Sequence, residues 1–145
     1  MLVSDKTKAV FFDLQGTLGG AGLDDITTFT FYPYAAEAIK IVNEIGFSAV
    51  LITNQSHIAK GHFSIEDFNN KITELKTELS QSGARFDGVY CCPHGSHDNC
   101  LCKKPLVGML KAAAVDLDID LKSSYVRAQR ICYWPKIAAV SQYWC

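Results

Sequence analysis

The stretch Ala9-Val10-Phe11-Phe12-Asp13-Leu14-Gln15-Gly16-Thr17-Leu18 decides the fold. Its apolar run ends on a carboxylate, and a glycine-bearing turn follows at once. A short, aromatic-rich apolar run bounded by polar residues reads as a buried parallel strand over 8–14. Such a strand delivers Asp13 to its carboxyl end, where ligands bind in open α/β sheets. Asp13 is therefore the first candidate site residue, although an Asp at a strand end is often only a cap.

Outward from this strand the pattern repeats. Residues 16–25 are a glycine-rich loop. Thr27–Tyr32 alternates Thr with aromatics and reads as a short strand or a flap. Pro33 suits a first helical turn, and Ala35, Ala38, Ile39, Val42 and Ile45 make one apolar face that Gly46 ends. Phe47–Thr53 is a second buried strand, again closing on polar residues, Thr53-Asn54-Gln55-Ser56. Ser64 with Asp67 resembles a helix N-cap, although a capping box would carry Glu or Gln at the latter position. The helix it starts runs to about Ser82. Phe86–Cys91 is a third strand, Gly108–Leu117 a third helix, and Ser124-Tyr125-Val126 the start of a fourth strand. Alternating strands and helices predict a Rossmann-like parallel sheet with helices on both faces. No insertion between these segments is large enough for a cap domain.

Composition narrows the function. The 145 residues suffice for one domain with a real core, 48% are hydrophobic and 20% charged, and the net charge is −1. That charge gives no footprint for nucleic acid or an acidic membrane surface. No apolar run approaches the roughly 20 residues needed to span a bilayer, and the N-terminus lacks the apolar core of a signal peptide. The expectation is a cytoplasmic protein acting on a small molecule, without nucleic-acid or membrane partners.

Six cysteines include Cys91, Cys92, Cys100 and Cys102, close to His94 and His97. In a cytosolic chain this clustering points to metal more than to disulfides. Cys92-Pro93-His94 and Cys100-Leu101-Cys102 supply three thiolates and an imidazole, a set suited to tetrahedral structural Zn²⁺. Buried structural cysteines are the plainer alternative, and His97 or Cys91 are substitute ligands. Zinc here would fold a loop that has little core of its own.

Asp-x-x-Gly-Thr-Leu after a hydrophobic strand resembles the first motif of the haloacid dehalogenase-like (HAD) hydrolases. The resemblance implies that Asp13 attacks phosphorus and forms an aspartyl-phosphate, sharing a catalytic Mg²⁺ that neutralises phosphoryl oxygens. Gln15 stands where the family carries a second Asp, the general acid and base. Glutamine exchanges no proton near neutral pH, and losing such a group costs about 10²–10⁴ in rate. The backbone carbonyl of Gln15 would still serve the metal. Thr53 and Asn54 match the second motif, in which the hydroxyl and neighbouring amides hold the phosphoryl group.

Thr53-Asn54-Gln55-Ser56-His57-Ile58-Ala59-Lys60-Gly61 resembles the corresponding stretch of one HAD branch, the heptose bisphosphate and histidinol phosphatases. Lys60 replaces that branch's Arg and loses the bidentate fork. The zinc loop is also a mark of the heptose phosphatase branch. Lys103-Lys104-Pro105 matches the third motif, which makes Lys104 the cation facing Asp13 and Lys103 a substrate contact. Gln55 joins Asn54, Lys60 and Lys103 as a candidate for substrate binding.

The likeness covers about 8–126. The fourth motif, an acidic pair completing the Mg²⁺ site, has no counterpart, because residues 127–145 contain no Asp or Glu. This tail carries no strand or helix logic, which predicts a domain incomplete at its C-terminus with an exposed edge after Val126. A second reading frame across the codons for Ile131–Cys145 can encode an amphipathic helix, a glycine stop and a buried strand, so the expectation is that the tail arises from a frameshift, which the coding DNA would settle. The resemblance implies a Mg²⁺-dependent phosphatase of small phosphorylated metabolites, impaired by Gln15. The alternatives are a histidinol phosphatase and a catalytically silent, zinc-stabilised binding domain.

Overall fold

The computed structural model describes residues 5–20, 25–128 and the backbone of 142–144. Five parallel strands form one sheet in the order β3-β2-β1-β4-β5. The strands are β1 (Ala9–Phe12), β2 (Ser48–Asn54), β3 (Gly88–Cys92), β4 (Tyr125–Arg127) and β5 (Gln142–Trp144). Among the described residues, the helices α1 (Ala35–Glu44), α2 (Ile65–Gln81) and α3 (Gly108–Asp116) connect β1 through β4.

Side-chain alternation along β1 and β2 divides the core between two faces. Phe12 and Leu51 pack with Ile39 of α1 and Phe68, Ile72, Leu75 and Leu79 of α2. Phe11, Val50 and Ile52 pack on the opposite face with Met109, Leu110 and Ala113 of α3. Helices thus cover both faces, as the alternating pattern predicts.

Local chemistry fixes the element ends. Gly46, at φ +83°, takes the left-handed conformation that stops α1. The expected helix N-cap at Ser64 is a full capping box. The Ser64 hydroxyl accepts from the Asp67 amide at 3.0 Å, and the Asp67 carboxylate accepts from the Ser64 amide at 2.8 Å. Aspartate, one methylene shorter than the residue expected there, still reaches.

One segment loses the strand half of its sequence reading, and another differs from its reading. Thr27–Tyr32 is not a strand: a 3₁₀ turn spans Ile26–Thr28, and only Phe31 makes an isolated antiparallel bridge, to Gly19. A Cβ on Gly19 would lie 2.0 Å from the Thr30 carbonyl oxygen, so this segment lies directly against the glycine-rich loop. The tail, read as adding no strand, places Gln142–Trp144 beside β4, with Val126 opposite Tyr143. Parallel pairing draws on main-chain groups and needs no hydrophobic periodicity, and Tyr and Trp suit strands. The proposed alternative reading of Ile131–Cys145 falls mostly on residues outside those described.

Candidate active site

Adjacent strands β1 and β2 bring Asp13 and Thr53-Asn54-Gln55 to the same end of the sheet, in a register that sets Phe12 opposite Leu51. The Asp13 amide donates to the Arg127 carbonyl at 3.0 Å, which continues the β1–β4 pairing to this residue. Its carboxylate Oδ1 accepts from the Leu14 amide at 2.8 Å and from Lys104 Nζ at 2.9 Å. The carboxylate is thereby aimed by the turn that follows it and faced by a cation. Such a group can act as a nucleophile or as a metal ligand.

Lys104 is held from both ends. Its ammonium also donates to the Ile52 carbonyl at 3.1 Å. Its main chain is clasped by Asn54, whose Nδ2 donates to the Lys104 carbonyl at 3.2 Å and whose Oδ1 accepts from the Lys104 amide at 3.0 Å. Asn54 is therefore committed to the lysine loop, a link that sequence reasoning missed because it spans 50 positions.

Gln55 Nε2 donates to Gln15 Oε1 at 3.0 Å and to Thr53 Oγ1 at 2.9 Å. Thr53 is fully buried and Gln55 is 4% exposed. Thr17 Oγ1, in the same turn as Gln15, is buried without a hydrogen-bond partner. Lys60 lies outside this cluster, exposed on the turn after β2. Lys103 Nζ is 3.5 Å from the His94 carbonyl, at the edge of the Cys/His loop.

That loop gathers Cys92, His94, Cys100 and Cys102, whose ligand atoms all lie within 4.8 Å of one another. Cys92 Sγ is 3.1 Å from Cys102 Sγ, 3.6 Å from Cys100 Sγ and 3.5 Å from His94 Nδ1. A tetrahedral Zn²⁺ with Zn–S bonds of about 2.3 Å needs donors about 3.8 Å apart. The donor set and its spacing fit that ion. Cys91 and His97, the alternative ligands, are not members of the group.

Burial, followed by the Cys102 thiol, pushes the Cys92 thiol up to about 12. Burial opposes ionisation of Cys100 as well, but the Lys103 amide, Cys92 and Cys102 outweigh it and hold that thiol at about 7. The loop is anchored on α3: a Cβ on Gly108 would lie 2.3 Å from the Leu101 carbonyl oxygen, and the Gly108 amide donates to that oxygen at 3.1 Å. Close backbone approach explains the glycine.

A parallel sheet carrying an aspartate at the end of its central strand, opposed by a lysine from a downstream loop, fits the HAD type that the sequence motifs resemble. A family model described as polynucleotide kinase 3 phosphatase matches residues 8–134, and the chain belongs to this family of HAD-type phosphatases. By that membership it is a phosphoric monoester hydrolase.

The chain is similar to the D-glycero-beta-D-manno-heptose-1,7-bisphosphate 7-phosphatase of Yersinia pestis. The two are 36% identical over 138 residues, covering 89% of this chain and 73% of the relative. The same enzyme of Pasteurella multocida is 34% identical over 132 residues, covering 86% and 72%. Among solved structures, the D,D-heptose 1,7-bisphosphate phosphatase of B. bronchiseptica, complexed with magnesium and phosphate, superposes with a TM-score of 0.77. It is 29% identical, over 83% of this chain and 69% of that one.

Proposed function

We propose that this chain hydrolyses a small phosphorylated metabolite of the sugar-bisphosphate type, with Asp13 as nucleophile. The observation that carries the reading is the Asp13–Lys104 pair at the carboxyl end of the central strand. Similarity to heptose bisphosphate phosphatases supports the substrate class. Lys104 offsets charge on Asp13 and the phosphoryl group, an electrostatic contribution to the transition state. The Thr53 hydroxyl, which accepts from Gln55, keeps its own proton to donate to a phosphoryl oxygen. Asn54 acts by holding the lysine loop, and Lys103 and Lys60 offer cationic contacts on the substrate side.

Magnesium fits the donors present. Mg²⁺ keeps several waters and is commonly held by one or two carboxylates plus substrate phosphates. Here Asp13 and the Gln15 carbonyl would hold it, and it would neutralise phosphoryl charge. Zinc at Cys92, His94, Cys100 and Cys102 is assigned to structure. Clustered cysteines given to metal and a charged metabolite both suit a reducing, cytoplasmic setting.

The test is phosphate release with Mg²⁺ from heptose 1,7-bisphosphate, histidinol phosphate and other sugar phosphates, for the wild type and Asp13→Asn. Release by the wild type alone supports the reading. Preference for histidinol phosphate would move the substrate to the neighbouring branch. No release from any ester, with retained ligand binding, would leave a zinc-stabilised binding domain, the reading that Gln15 favours.

A further inference from the structure

Among the described residues, the side-chain hydrogen bonds at the Asp13 end of the sheet hold no proton donor suited to neutral pH. Gln15, Asn54 and Gln55 are carboxamides and Thr53 is a hydroxyl. The Lys104 ammonium is directed at Asp13 and at the Ile52 carbonyl. Nor do the described imidazoles join this cluster. His94 faces Cys102 at 3.2 Å. His57 and His62 lie against each other, their rings tilted by 32° with centroids 5.0 Å apart. His97 is exposed on the Cys/His loop. Gln15 is also fixed in place, because the Gln55 that grips it is nearly inaccessible to solvent. An amide so held neither gives nor takes a proton.

We infer that this centre takes phosphoryl groups preferentially from acyl and aryl phosphates, and that it empties slowly afterwards. The inference rests on the phosphatase reading of Asp13. In the first step an Asp13 carboxylate oxygen bonds to phosphorus while the bond from phosphorus to the leaving oxygen breaks. An acyl or aryl donor departs with the electron pair as a carboxylate or phenolate and needs no proton. An alkyl ester departs as an alkoxide, which must draw its proton from solvent, and that transfer is slower by about 10²–10⁴. In the second step water attacks phosphorus, and the bond from phosphorus to the Asp13 oxygen breaks to return the carboxylate. The proton of that water passes to solvent or to a phosphoryl oxygen, since Gln15 cannot accept it. Phosphorylated Asp13 therefore accumulates.

The full chain with Mg²⁺ is mixed rapidly with p-nitrophenyl phosphate, acetyl phosphate or glucose 6-phosphate. The expected result is a burst of p-nitrophenolate approaching one per chain. Acid quenching then finds one phosphoryl group on the Asp13 peptide with either activated donor, and no burst with the alkyl ester. Gln15→Asp should raise the alkyl-to-aryl ratio of kcat/KM by about 10²–10⁴ and abolish the burst. Gln15→Ala should keep the wild-type ratio, whereas a merely structural role for Gln15 would move both substrates together and leave Gln15→Asp without effect on it. Equal turnover of alkyl and aryl esters without a burst, with Asp13 transiently labelled, overturns this inference and leaves the phosphatase reading standing. An Asp13 that no donor labels, in the wild type or in Gln15→Asp, overturns both.

Discussion

The Lys104 ammonium touches two unlike oxygens, the Asp13 carboxylate at 2.9 Å and the Ile52 carbonyl at 3.1 Å. A point-like ammonium on a flexible stem can satisfy both, whereas the planar guanidinium fork is shaped for paired acceptors. Lys104→Met is expected to lower kcat by about 10²–10³, the scale for losing one preorganised electrostatic partner. Lys104→Arg should recover only a small part of that loss, which steady-state kinetics on a good substrate will measure. Gly108 makes a second prediction. A methyl group there meets the Leu101 carbonyl, so Gly108→Ala should cost about 1–3 kcal/mol in urea unfolding, the range for overpacking. Asp13 and Lys104 were legible in the sequence because each lies in a short local pattern, a strand end and a lysine pair before proline. The Asn54 clasp was not legible, since a side-chain amide bonding to main chain far along the chain leaves no periodic trace.

Helix α2 shows what a single turn of sequence contributes. Ser64→Ala should destabilise the fold by about 0.5–2 kcal/mol, as measured by chemical denaturation. The pH dependence follows from Asp67. Its backbone bond from Ser64, and then the Ser64 side chain, hold its carboxyl below the ordinary 3.8. A carboxyl lowered in the folded state stabilises above its unfolded value, and that contribution is lost as pH falls through the folded value. The stability difference between wild type and Asp67→Ala should therefore be full well above 3.8 and shrink in acid below it. Equal differences well above and well below 3.8 would remove Asp67 from the acid limb. The helices and the strands β1, β2 and β3 were legible from their apolar runs and spacing. The edge strand β5 was not, because three residues paired through their main chain carry no alternation to read.

At the scale of the molecule, two kinds of order meet at β3. The sheet and its helices rest on ordinary burial, so Leu51→Ala in the fully buried core should cost about 2–5 kcal/mol. The stretch 93–102 contains no buried residue, and the Cys/His cluster, with the Gly108–Leu101 bond, is what holds it. Stripping metal with a chelator should lower the thermal midpoint, and restoring Zn²⁺ should recover it, since a ligand that binds only the folded state stabilises it by mass action. Hydrogen exchange at the Lys104 amide should accelerate in the stripped protein, because Lys104 follows Cys102 by two positions. Among the described residues no helix is long and apolar enough to cross a membrane. The layered sheet and the cluster were both visible in the sequence, the first as repeated strand-helix alternation and the second as cysteine spacing. Their connection through Lys104 was legible as adjacency to Cys102, whereas the contact of Lys103 with the His94 carbonyl emerged only from three-dimensional proximity.

The grip of Asn54 on both main-chain groups of Lys104 separates where the loop sits from what its ammonium touches. When an incoming phosphoryl group competes for the ammonium, the side chain can exchange partners while its backbone stays moored. The charge then swivels on a fixed pivot, and answering the substrate requires no rearrangement of the surrounding chain.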